Sequence, residues 1–161
     1  MRTTALAVGV AVALVPGALE GQATAEDLEG AWRVTEVVTT GPGGRTLGSP
    51  QPGLLLFTGG YYSYTLVTGE EARPVVPPGV ATAADMLGVW GPFTANAGTF
   101  EVSGDTMTRR PLVAKSPDAM ARGAFNAYTF RLVADTLWVS TAGTEAGPAR
   151  YPSTVRYVRL R

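Results

Sequence analysis

From Trp32 onward the chain is punctuated every few residues, as runs rich in β-branched and aromatic side chains stop at Gly, Pro, Asp or Ser and then resume. That rhythm predicts strands over Trp32–Thr39, Leu54–Thr58, Tyr61–Thr68, Gly98–Ser103, Thr106–Val113, Phe125–Val133, Leu137–Thr141 and Thr154–Leu160. Gly59-Gly60, between the second and third runs, is the two-residue signature of a tight hairpin. Thr40–Pro52, Gly69–Gly79 and Ala142–Pro152 carry the Gly and Pro of loops rather than ladder. Thr82–Trp90 is the one helical segment, with Thr82 as cap, Asp85 in the first turn, and Met86, Leu87 and Trp90 at helical spacing. Strands that follow one another in an antiparallel sheet leave two open edges, and closing the sheet removes both. The expected fold class is therefore all-β, an eight-stranded antiparallel up-and-down barrel with one short helix between strands 3 and 4; an open or sandwich arrangement competes with it. A barrel of that size encloses packed side chains or one small ligand.

The first 25 residues read differently. Arg2 precedes an apolar run from Ala5 to Leu14 or Val15, Pro16-Gly17 breaks it, and Ala23-Thr24-Ala25 supplies small residues at the spacing of a leader cleavage site. Ten or eleven apolar residues are too few to cross ~30 Å of hydrocarbon, so residues 1–25 are expected to be a signal peptide and residues 26–161 the exported domain. Cleavage is expected before Glu26, with Gly21-Gln22-Ala23 a second acceptable site. The localisation expected is periplasmic or secreted. About 136 residues then remain, enough for one filled core and no second domain.

Composition narrows the chemistry. With 45% hydrophobic and 16% charged residues the chain is neither disordered nor, beyond the leader, membrane-spanning. Thirteen basic residues balance thirteen acidic ones and the arginines are scattered, which gives nucleic acid no footprint. Cysteine and histidine are both absent, so thiol catalysis, thiolate or imidazole metal sites, His-based triads and haem on a proximal histidine are excluded. No cofactor or metal is implied.

Leu28-Glu29-Gly30-Ala31-Trp32-Arg33-Val34 resembles the G-x-W opening of lipocalins, in particular the bacterial lipocalin-like domain family. Similar to that family, in order, are Pro52–Thr58 leading into Gly60-Tyr61-Tyr62-Ser63, Arg73-Pro74, a short helix, Gly98–Val102, Arg122-Gly123, and Tyr157-Val158-Arg159 near the end. The resemblance implies that Trp32 seals one end of the barrel and that Arg159 stacks across it, although Arg156 and Arg161 are also placed to do so. The sequence departs from the family pattern at Arg109 and Tyr128, near where relatives carry a histidine and an arginine, and at Asn96, where an aromatic is usual.

Period-2 alternation puts Trp32, Val34, Glu36 and Val38 on one face, and the family register turns that face inward together with Leu55, Phe57, Tyr62, Tyr64 and Leu66. Phe100, Arg109, Tyr128, Phe130, Trp138 and Tyr157 are the inward candidates of the late strands. The expected ligand-binding residues are thus Glu36, Leu55, Phe57, Tyr62, Tyr64, Phe100, Arg109, Tyr128 and Phe130, around an apolar pocket with a few polar groups. Pro77-Pro78 and the helix near Met86 and Trp90 could lid its open end. An inward arginine without a carboxylate partner would favour a ligand with a carboxylate head, such as a fatty acid. Three uses follow: a non-catalytic carrier or sensor of a small apolar or amphipathic molecule; a ligand-free structural module of the cell envelope; or a His-independent isomerase or cyclase using Glu36, Tyr128 and Arg109.

Overall fold

The structure, a computed structural model, describes residues 22–77 and 79–161. Ten strands form one antiparallel sheet: β1 (Gly30–Thr39), β2 (Arg45–Leu47), β3 (Gly53–Thr58), β4 (Tyr61–Val67), β5 (Phe93–Ser103), β6 (Thr106–Ala114), β7 (Asn126–Val133), β8 (Thr136–Thr144), β9 (Gly147–Pro148) and β10 (Ser153–Arg159). β10 pairs with both β8 and β1, which closes eight of these strands into a barrel, while β2 and β9 are short additions on β1 and β8. Both additions arise in segments expected to be loop. Two helices accompany the barrel, α1 (Ala25–Leu28) and α2 (Ala83–Trp90), with a 3₁₀ turn at Pro117–Met120. α1 straddles the expected leader boundary, whereas residues 1–21 of that leader lie outside the described residues. None of the described helices is long and apolar enough to cross a membrane.

Gly59 and Gly60 both take positive φ, 54° and 80°, so Thr58 pairs directly with Tyr61 in a two-residue hairpin. β5 begins at Phe93, five residues ahead of the expected Gly98, because ladders with β4 and β6 override the weak strand preference of Thr94-Ala95-Asn96-Ala97. Between Ala97 and Gly98 the β5–β6 register shifts and leaves Leu112 unpaired. There the two backbones come so close that a Cβ on Gly98 would sit 2.0 Å from the Arg110 carbonyl oxygen. Gly98→Ala is therefore expected to lower stability by ~3 kcal/mol, the upper end of overpacking costs because the colliding atom is backbone; a urea midpoint equal to that of the parent would show that the strands part without strain.

A second irregularity corrects the expected inner face. β1 pairs Val34 with Tyr157 and Glu36 with Arg156, so Thr35 is an extra residue in the β1–β10 ladder. The bulge is held in place because Thr35 Oγ1 donates to the Arg156 carbonyl at 3.1 Å and accepts from Arg156 Nε at 3.2 Å. Beyond it the alternation changes phase: Val37 enters the core and Glu36 lies half-buried opposite Arg156, not in the barrel. Trp138 is corrected likewise. It lies between the buried Leu137 and Val139, hence on the outer face, with the Arg131 guanidinium carbon 3.8 Å from its ring centroid.

One end of the barrel is filled. Leu28, Trp32, Leu55, Phe57, Met107, Leu137 and Tyr157 are the largest fully buried side chains, and α1 lies across that end. The Trp32 indole N–H donates to the Leu28 carbonyl at 2.8 Å, and the Arg159 guanidinium carbon stands 4.1 Å from the Trp32 ring centroid. Arg159 also donates to the Asp27 carbonyl at 2.6 Å and to the Glu29 carbonyl, so one side chain joins the last strand, the first strand and the helix. The opposite end, ringed by α2 and the loops after β1, β4, β6 and β8, is the mouth.

Candidate functional site

Arg109 is the one buried charged residue among the described residues, 2% exposed. The alternation of β6 accounts for its direction: Met107 and Arg109 alternate with Thr108 and Arg110, and both turn inward. Four aromatic rings surround its guanidinium carbon, at 4.6 Å (Tyr128), 5.2 Å (Tyr62), 5.4 Å (Phe57) and 6.0 Å (Tyr64) to the centroids. Phe100, opposite Arg109 in the ladder, packs on Phe57 with ring centroids 4.6 Å apart. Arg109 Nε donates to the soft Met107 sulfur at 3.3 Å. Its Nη2 and the nearby Tyr62 hydroxyl are buried without a hydrogen-bond partner, and among the described residues no carboxylate lies within ion-pair distance of it.

That arrangement is unusual in its energetics. A guanidinium keeps its charge in any ordinary environment, and burying it without a counter-charge is costly. Cation–π contacts of ~0.5–2 kcal/mol each offset part of that cost. They leave Arg109 Nη2 and the Tyr62 hydroxyl without an acceptor, and buried donors of this kind call for an explanation.

Tyr64 and Tyr128 connect this buried cation to the mouth. Both line a cavity of about 410 Å³ that is also bordered by Phe93, Asn96, Asn126 and Ala119. A more apolar cleft of about 630 Å³ lies between Trp90 and the outer face of the sheet, lined by Ser63, Thr65, Phe93, Ala97 and Val113, and it borders the first at Tyr64, Asn96 and Lys115. Both volumes fall in the range of small-molecule sites. The rim is held by Lys115, whose ammonium donates to the Phe93 carbonyl at 2.7 Å and to the Trp90 carbonyl, tying the end of α2 to the barrel. α2 itself starts from a reciprocal cap, Thr82 Oγ1 accepting from Asp85 N–H and Asp85 accepting from Thr82 N–H, and it buries no residue. Leu87 (74% exposed) and Trp90 (48%) face solvent at the rim.

Of the residues expected in the site, Phe57, Tyr62, Tyr64, Phe100 and Tyr128 gather around Arg109. Leu55, fully buried, lies between Trp32 and Tyr64 in the ladder, and Phe130 borders a separate cavity beside Gln22 and Asp105. Glu36 is outside the barrel, so the grouping of Glu36, Tyr128 and Arg109 needed for acid–base chemistry is not assembled. Met107, Asn96, Asn126 and Lys115 were not among the expected residues. For Met107 a signal existed, since it stands two positions before Arg109 on the same strand face.

Burial pushes the Tyr62 phenol up to about 12, with Arg109 acting against that rise. Tyr64 and Tyr157 are also raised, again chiefly by burial. In the unfolded chain a tyrosine ionises near pH 10, while in the fold these three hold their protons, so deprotonation favours the unfolded state. Stability is expected to be full below pH 10 and to fall as pH rises towards 12. Phenolate absorbance should then show tyrosines that ionise only together with loss of the near-ultraviolet dichroism. Ionisation of all six tyrosines near pH 10 in a still folded protein would contradict it.

No family model matches the chain, and no curated protein does. A solved structure of an uncharacterized protein from Bacteroides eggerthii DSM 20697 is similar to it at 10% identity and a TM-score of 0.47, over 83% of this chain and 100% of the other.

Proposed function

We propose that the chain is an exported, lipocalin-like barrel that binds a small amphipathic acid, head inward at Arg109 and tail towards the mouth, without transforming it. The observation that carries this reading is the buried Arg109, whose Nη2 lacks a partner beside an equally unpartnered Tyr62 hydroxyl. A carboxylate is the acceptor that satisfies both donors at once and supplies the missing charge. The mouth cavity, whose lining includes Tyr64, Tyr128, Phe93 and Ala119, is where the tail would lie. Trp32 and Arg159, packed as a plug, support the lipocalin-like label and leave one end for entry. With Glu36 outside the barrel, carriage is favoured over acid–base catalysis.

Displacement of an apolar fluorescent probe by dodecanoate, dodecanol and dodecylamine tests the reading, alongside native mass spectrometry of gently purified protein. Dodecanoate should displace the probe and dodecanol should need at least ~10-fold more, the loss expected for one charge-assisted hydrogen bond. Equal potency of the three would remove the role given to Arg109. Bare protein by mass, with no displacement by any of them, would leave a ligand-free structural module.

A further inference from the structure

We propose that the chain is processed at the Ala23–Thr24 peptide bond, two residues before the cut that the Ala23-Thr24-Ala25 pattern suggests, and that Thr24 is the first residue of the exported domain. This inference rests on the reading of the N-terminus as a leader.

The two possible cuts differ in what they remove from the fold. Thr24 is the cap of α1, forming a reciprocal box with Asp27. The Asp27 carboxylate accepts from the Thr24 backbone N–H at 2.8 Å and from its hydroxyl at 2.9 Å, and Asp27 N–H donates to Thr24 Oγ1 at 3.4 Å. A cut after Ala25 deletes all of these bonds together with the first helical residue. The damage would fall on the barrel plug, because the carbonyls that receive Trp32 and Arg159 belong to Leu28, Asp27 and Glu29, the end of the same short helix. A cut after Ala23 removes none of these hydrogen bonds. It costs the contact of the Ala23 methyl group with the core and the approach of the Gln22 side chain to the Gly104 turn.

The chemistry at the bond also fits. Water adds to the Ala23 carbonyl, the C–N bond breaks, and the products are an Ala23 carboxylate on the leader and a free Thr24 amine on the domain. A leader endopeptidase requires small side chains at the last and third-last leader positions, which Gly21 and Ala23 supply. The new amine takes a proton and becomes an ammonium, placed by the existing geometry 2.8 Å from the Asp27 carboxylate. The charge released by cleavage is thus paired where it forms, instead of standing free at the positive end of a helix.

Expression of the full chain in a bacterium with a general secretory pathway, followed by intact-mass measurement and N-terminal sequencing of the exported protein, tests this. Thr24 as the first residue is expected. Any other mature N-terminus, Glu26 included, overturns the proposal while leaving export intact; an unexported chain that keeps Met1 overturns the export reading as well. Ala25→Gln separates the two sites without depending on stability. The variant should be processed as fully as the parent at Ala23–Thr24, where position 25 lies beyond the bond. Accumulation of its precursor would assign the cut to Ala25–Glu26.

Discussion

Arg109→Met is expected to bind dodecanoate ~10- to 100-fold more weakly than the parent and yet to be the more stable protein when ligand-free. The two effects have one cause. In the parent, the only buried charge among the described residues has rings around it and no carboxylate, so Nη2 and the Tyr62 hydroxyl lack an acceptor, which the proposed acid would supply. Methionine is of similar length, packs against Tyr128, Phe57 and Tyr62, and needs no counter-charge. Replacing a poorly compensated buried charge by an apolar side chain raises stability by ~1–3 kcal/mol in such settings, a thermal midpoint higher by ~2–8 °C. The binding loss follows from removal of charge-assisted hydrogen bonds worth ~1.5–3 kcal/mol. Arg109→Lys should lie between: it keeps the charge, but it loses the planar fork and the stacking. Calorimetric melting with and without dodecanoate reads both effects. A destabilised Arg109→Met that still binds dodecanoate like the parent would make Arg109 a structural residue and remove it from the binding of the acid head.

What the sequence reveals of this site, and what it conceals, follows from the physics of alternation. The period-2 rule carries from Tyr62 to Leu66 and from Met107 to Arg109 because those runs are unbroken, and it places Tyr62, Tyr64 and Arg109 inside. It fails at Glu36 because one extra residue, Thr35, reverses every side chain after it. The run Val37-Val38 offers an apolar residue to either face, so composition carries no trace of the slip. Trp138 misleads for a related reason. It stands in an apolar run, Leu137-Trp138-Val139, and only the ladder with β7, which sets Trp138 opposite Arg131, decides which residues face out. The closed eight-stranded barrel was legible because turn residues mark each reversal. The early start of β5 was not, since Thr94-Ala95-Asn96-Ala97 become strand only through their neighbours on both sides. The isolation of Arg109 is a property of distant residues: whether any carboxylate comes near it depends on the direction of Glu36, and so on the bulge.

The largest loss of stability is expected at the other end of the barrel, where Trp32→Ala should cost ~3–5 kcal/mol, a large share of the ~5–15 kcal/mol of a typical domain. Trp32 is fully buried, and its indole N–H has one acceptor, the Leu28 carbonyl. Arg159→Met should cost less, ~1.5–3 kcal/mol, since it removes charged hydrogen bonds to the Asp27 and Glu29 carbonyls but leaves the core filled. The informative quantity is the difference. If the guanidinium, the indole and α1 act as one plug, deleting Trp32 removes the surface on which Arg159 lies and lets the helix end move. Arg159→Met should then cost ~1 kcal/mol less in the Trp32→Ala background than alone, the size of a partly desolvated cation–π contact. Urea denaturation of the four proteins of this cycle gives the coupling directly. A coupling of zero would mean that Arg159 holds α1 through its carbonyl bonds alone, with the 4.1 Å stacking distance a consequence of register and not a contribution to closure.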